Sequence, residues 1–190
     1  LGSAVFDFLS RTLLDRTSAS PTPEGEPSQA DFAGKFQQVT APATAKGIED
    51  TAFYVYNRLV SLNEVGGEPD RFGASPASLH RWLGRRAGKH PYALTALSTH
   101  DTKRSEDVRA RINVLSEIPE EWFDAFVRWA DLNLIHHRSL SDGSQVPGRN
   151  EEYLLYQTLL GAWPLEPQDD AGRADFLARI RAFMLKAVRE

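Results

Sequence analysis

Apolar residues recur along this chain mainly at helical spacing. Val5, Phe8, Leu9 and Leu13 mark an amphipathic helix over residues 4–15, and Phe32, Phe36 and Val39 resume that spacing. Between them, Pro21, Pro23, Gly25 and Pro27 stand among polar residues, the pattern of an exposed linker over 18–30. The stretch Gln37–Lys46 is rich in threonine and alanine and broken by Pro42, and it predicts a strand or extended loop. Phe53, Tyr56 and Val60 then predict a helix over Ile48–Leu62, stopped by Val65-Gly66-Gly67-Glu68-Pro69. A short helix fits Ser78–Arg86.

Tyr92–Ser98 alternates loosely after Pro91 and predicts a short buried strand. Ser105 suits the cap of a following helix, with Glu106 and Asp107 favoured by its dipole and Val108, Ile112 and Leu115 as its apolar stripe. Pro119 fits the first turn of another helix, on which Trp122, Phe126 and Trp129 share a face that reads as core rather than as a sugar platform. After a Gly/Ser/Pro loop over Ser139–Gly148, Asn150 is the expected cap of a helix carrying Leu155 and Leu159. Phe176, Leu177, Ile180, Phe183, Met184 and Ala187 define the final helix. The expected class is mainly α, with one or two short strands.

Composition narrows the chemistry. Of the 190 residues 41% are hydrophobic, enough to build a core. A net charge of −4 argues against a nucleic-acid surface, and the lack of cysteine excludes disulfides and thiolate chemistry. No apolar run approaches the roughly 20 residues of a membrane span, and Leu1–Leu14 lacks a basic leader, which makes the cytoplasm the expected compartment. The chain starts and stops in mid-pattern, as a piece excised from something longer would. His136 and His137 are adjacent, so they point apart and make a poor metal pair; no metal and no cofactor is expected.

The densest polar stretch runs from Ser98 to Asp107, between the expected strand and the next helix. Functional side chains of barrel enzymes gather at such strand ends. A His100–Asp101 pair flanked by Lys103 and Arg104 could hold a polyhydroxylated ligand, with the carboxylate accepting sugar hydroxyls. On spacing alone, a charged helix start at the surface is the commoner explanation. Lys46, beside Gly47 at a second junction, could reach a ligand, although an exposed loop lysine is the ordinary case. Asn63-Glu64-Val65-Gly66-Gly67 reads most simply as a helix exit.

Taken together, these stretches are far more specific. Phe36-Gln37-Gln38, Ala45 to Tyr54, Tyr56 to Gly67, Ser98 to Arg111 and Asn150 to Thr158 resemble the maltooligosyltrehalose synthase family, in family order and across nearly the whole chain. The resemblance implies an α-amylase superfamily enzyme, of which this chain is an internal fragment carrying one or two strands of an incomplete (β/α)8 barrel. It implies segments at 1–36, 37–135 and 136–190, all parts of one larger enzyme. The implied reaction converts the reducing-end α-1,4 bond of a maltooligosaccharide into an α,α-1,1 bond, with a maltooligosyltrehalose trehalohydrolase as pathway partner. Asp101 is implied as the third carboxylate, assisting the transition state, with His100, Lys103 and Lys46 holding substrate. Thr40-Ala41-Pro42-Ala43-Thr44 departs from the usual Thr-Gly-Pro-Val-Met, and nothing before residue 37 resembles the nucleophile or acid motifs. The fragment alone is therefore expected to be inactive. The competing expectation is a stand-alone helical interaction or glucan-binding module without catalysis.

Overall fold

The structure, a computed structural model, describes residues 3–14 and 29–190. It divides into two compact units, residues 1–48 and 49–190. The first contains α1 (Ser3–Leu14) and α2 (Gln29–Gly47). Of the linker expected over 18–30, residues 18–28 lie outside the described residues, and 29–30 open α2. Within α2, Phe32 and Phe36 stack with ring centroids 6.2 Å apart. The extended structure expected over Gln37–Lys46 is not found, because α2 runs straight through Pro42. Proline removes one rung of the helical ladder, while the alanines, glutamines and lysine around it are strong helix formers that keep the rest.

The second unit holds, in order, a π turn continued by α3 (Phe53–Val55), a 3-10 turn at Val60–Leu62, α4 (Pro76–Lys89), α5 (Glu106–Asn113) and α6 (Pro119–Asn133). A hairpin of β1 (Arg138–Ser139) and β2 (Gln145–Val146), then α7 (Arg149–Ala162) and α8 (Asp170–Ala187), complete it. The mainly α class therefore holds, with two short strands. They pair antiparallel, Arg138 opposite Val146 and Ser139 opposite Gln145, and Gly143 supplies the positive φ of 84° at the tip.

Helix starts follow local chemistry. Pro76 and Pro119 occupy first-turn positions where a missing N–H costs nothing, and the Ser75 Oγ accepts from the Ser78 N–H at 3.2 Å. Asp169 caps α8 by accepting the Gly172 N–H at 2.8 Å. Ser105 is the residue before α5, as its position suggests, though its side chain makes no capping bond. Asn150 is not a cap: α7 begins one residue earlier, after Gly148, and the Asn150 amide donates to the Val55 carbonyl at 3.1 Å.

The core gathers Leu59, Val60, Ile112, Leu115, Trp122, Leu154 and Tyr156 from the 59–60 segment, α5, the turn after it, α6 and α7. Trp122, Phe126 and Trp129 pack there as expected. Trp122 and Trp129 meet edge to face at 5.9 Å, Phe126 meets Tyr153 at 5.1 Å, and the Trp122 Nε1–H donates to the Tyr153 hydroxyl at 2.9 Å. Helices α5 and α7 touch at Gly161, where a Cβ would stand 2.8 Å from Val108 Cγ1 and 2.9 Å from Ile112 Cδ1. Gly161→Ala is expected to destabilise the fold by about 1–3 kcal/mol through overpacking, despite its better helix propensity. Urea unfolding midpoints would show this, and an unchanged or raised midpoint would mean that the helices separate freely.

Two sequence expectations fail over where backbone hydrogen bonds go. The single helix expected over Ile48–Leu62 breaks after Val55, and residues 56–59 leave helical geometry before the 3-10 turn at Val60–Leu62. Buried Gln157 of α7 accepts the Val60 N–H at 2.9 Å and donates to the Asn57 carbonyl at 2.8 Å, taking the groups a helix would have used. Tyr92–Ser98 is neither strand nor buried: Tyr92 is 96% and Leu94 97% exposed. A strand needs a neighbour for its backbone, and among the described residues the only ladder is β1–β2. Arg86 serves this segment instead, donating to the Leu94 carbonyl and the Thr95 hydroxyl, each at 3.0 Å.

Candidate active-site loop

The polar stretch after residue 97 folds as a turn leading into α5. The Thr102 hydroxyl donates to the Thr99 carbonyl at 2.9 Å, and the Asp101 N–H donates to the Thr99 hydroxyl at 3.3 Å. His100 and Asp101 sit exposed at its crest. At its base the Ser98 hydroxyl bonds the Glu106 carboxylate, which holds that carboxyl below its usual range. The Arg109 guanidinium bonds the Leu97 carbonyl.

The loop descends from Asp101 to Lys103 and Arg104, where it meets residues 49–67. The Glu64 carboxylate accepts the Lys103 N–H through Oε1 at 2.7 Å and the Arg104 N–H through Oε2 at 3.2 Å. The Arg109 guanidinium lies 3.9 Å from Glu64 Oε2. The Lys103 ammonium donates to Asp50 Oδ1 at 3.0 Å, with both side chains about four-fifths covered. Burial works to lower the Lys103 pKa. The hydrogen bond and charge of Asp50 outweigh it and hold the ammonium above its ordinary value, so it stays a cation. Arg104 reaches inward to the Val60 carbonyl at 3.2 Å and lies 5.6 Å above the Phe183 ring, and burial lowers its pKa.

This frame is stiff on the 49–67 side. The buried Asn63 amide donates to the Phe53 and Tyr56 carbonyls at 2.9 and 2.8 Å. Gly66 adopts φ 70°, and its N–H donates to Glu49 Oε1 at 3.2 Å. Gly67 follows because nothing larger fits: a Cβ there would lie 2.7 Å from the Glu64 carbonyl oxygen.

Of the four residues singled out from sequence, the structure places His100, Asp101 and Lys103 on one turn. Lys46, exposed in the last turn of α2, belongs to the first unit. Glu64 and Asp50 were not singled out, although they form the loop's anchors. A carboxylate between an asparagine and a Gly-Gly turn was the available signal, since a plain helix exit needs no acid there. His137 has a carboxylate partner, its Nε2 lying 3.1 Å from Glu152 Oε1. No described helix is long and apolar enough to cross a membrane.

No protein-family model matches the chain. A putative maltooligosyl trehalose synthase of Mycobacterium tuberculosis is 40% identical over 177 residues, 93% of this chain and 21% of that protein. A crystal structure of a maltooligosyl trehalose synthase superimposes with a TM-score of 0.69 at 40% identity, covering 84% of this chain and 20% of that one. A hypothetical maltooligosyl trehalose synthase of Sulfolobus tokodaii gives a TM-score of 0.66 at 30% identity, covering 97% of this chain and 26% of that one. The chain thus spans about a fifth of the length of the curated relatives it matches. Over the residues matched, the chain is similar to maltooligosyl trehalose synthases, of which it corresponds to a fragment.

Proposed function

We propose that the chain is an internal stretch of an enzyme that isomerises the reducing-end α-1,4 bond of a maltooligosaccharide into an α,α-1,1 bond, leaving a terminal trehalose unit. The observation that carries this is the His100–Asp101–Thr102–Lys103 turn, set within a stretch 40% identical to proteins of that name. In this reading the complete protein is an α-amylase-type barrel enzyme with a retaining mechanism. An aspartate attacks the anomeric carbon while a glutamic acid protonates the departing oxygen. The freed glucose is retained, and its own anomeric hydroxyl attacks the glycosyl-enzyme, returns its proton to the glutamate and releases the aspartate. Water has to be kept out throughout, or hydrolysis wins.

Asp101 is the third carboxylate. It accepts ring hydroxyls of the sugar whose anomeric centre becomes positive, a contact strongest in the transition state. His100 binds the same sugar. Lys103 holds the freed glucose, and Lys46 is a further substrate-binding lysine in this reading. The ammonium of Lys103, held by Asp50, has two further N–H donors for sugar hydroxyls. The nucleophile and proton donor are not among these 190 residues in this reading, so the chain alone turns nothing over. The trehalose-terminated product suits a trehalose-releasing hydrolase in the same compartment, the cytoplasm.

The test is the complete enzyme with maltopentaose, following reducing ends and chain length together. Reducing ends should disappear while the number of glucose units per molecule stays at five. Shorter sugars with rising reducing ends would instead identify a hydrolase, and an unchanged sugar would favour a glucan-binding module.

A further inference from the structure

The geometry points to Glu64 as the positioning residue that sets where Asp101 and Lys103 stand, through its two-oxygen grip on the Lys103 and Arg104 N–H groups. The inference rests on the function proposed above and adds a residue to its machinery. Glu64 lies 39 and 40 residues before the amides it holds, and its side chain is only 14% exposed. It is committed on both oxygens. Oε1 accepts from Lys103 and, at 2.9 Å, from its own neighbour Val65, while Oε2 accepts from Arg104 and faces Arg109.

A carboxylate suits this place and a carboxamide does not. Both grips come from backbone donors, so each needs an acceptor, and an amide would turn an NH2 toward one of the two N–H groups. The charge also matters, because the Lys103, Arg104 and Arg109 side chains crowd the same few residues, and charge-assisted bonds are roughly twice as strong as neutral ones. The other end of the lever is fixed. Glu64 follows buried Asn63, and its carbonyl accepts the Gly67 N–H at 2.7 Å in a turn too tight for a Cβ at Gly67.

Two side-chain ties, Lys103 to Asp50 and Arg104 to the Val60 carbonyl, also reach the loop, but they act through long flexible stems, whereas Glu64 grips the backbone itself. Between Thr99 and Thr102 the bonds are local turn bonds, which shape the turn without placing it. Asp101 stands two residues from the first held amide. Release of Lys103 and Arg104 would let the carboxylate wander by an ångström or more, and misplacement on that scale costs about a hundredfold in rate.

The experiment uses the complete enzyme and its Glu64→Gln and Glu64→Asp variants, read in two ways. Kinetics on maltopentaose should show kcat lowered about 10- to 100-fold in Glu64→Gln with KM changed less than about threefold. Glu64→Asp keeps both acceptors on a shorter stem and should fall between Gln and the intact enzyme. Hydrogen exchange, followed by mass spectrometry, should speed up in the 99–105 peptide of Glu64→Gln while α6 peptides stay unchanged. Unaltered exchange in that peptide, or a kcat within twofold of the intact enzyme, would overturn the assignment. Equal acceleration across all peptides would do so too, by showing Glu64 to be merely structural. If the unsubstituted enzyme fails to isomerise maltopentaose, the proposed function falls, and exchange alone then decides whether Glu64 holds the loop.

Discussion

Asp101→Asn in the complete enzyme is expected to lower kcat on maltopentaose by about 100- to 1,000-fold, with the unfolding temperature unchanged. Asparagine keeps the size and one acceptor oxygen but loses the charge. What the charge opposes is the partial positive charge that grows on the anomeric carbon and ring oxygen as the bond breaks. Since that charge is small in the bound substrate and large in the transition state, the loss should appear in kcat rather than in KM. Stability should not suffer, because the Asp101 side chain is exposed and the bond recorded for the residue, to the Thr99 hydroxyl, comes from its backbone N–H. Steady-state rates of reducing-end loss on the two proteins provide the comparison. A variant within tenfold of the intact enzyme would remove Asp101 from the chemistry and leave the turn as a charged helix start.

Legibility from sequence followed the range of the interactions involved. The helices that were placed well, α4, α6 and α8, are specified within a few residues by proline at the first turn, capping serine or aspartate, and apolar spacing. The aromatic face of α6 was read as core because the spacing of Trp122, Phe126 and Trp129 carries that information locally. The segments that went astray are governed by partners far along the chain. Residues 56–59 leave helical geometry beside a glutamine about a hundred residues away, and Tyr92–Ser98 needs neighbouring strands that no described residue supplies. The site divides the same way. His100, Asp101 and Lys103 are contiguous and were legible as a polar cluster at a helix start. Glu64 was not, because nothing within five residues of it shows that its oxygens serve backbone amides beyond residue 100.

Gln157→Leu is expected to destabilise the 190-residue chain by about 2–5 kcal/mol. Leucine is close in volume and more apolar, so burial alone would favour it at this fully buried position. The amide, however, serves two backbone groups, the Val60 N–H at 2.9 Å and the Asn57 carbonyl at 2.8 Å. Leucine leaves both inside the core without partners, at about 1–3 kcal/mol each, which exceeds any gain in transfer energy. It also frees the 57–60 segment that carries core residues Leu59 and Val60 and leads to Asn63 and Glu64. Unfolding in urea, followed by tryptophan fluorescence with Trp122 in the core, would measure the loss. Gln157→Glu sharpens the test. Its ionised carboxylate would face the Asn57 carbonyl with no proton to donate, whereas the protonated acid would restore both bonds. Its folded-state pKa should therefore rise above the unfolded value of about 4.3. The stabilisation is then present in full below that value and is lost as pH climbs through the folded pKa. The Glu variant should approach the parent in stability near pH 4 and fall away toward neutrality, relative to the Gln protein at each pH. A Leu variant as stable as the parent, or a Glu variant whose deficit ignores pH, would mean that the amide is not what holds the 57–60 segment against α7.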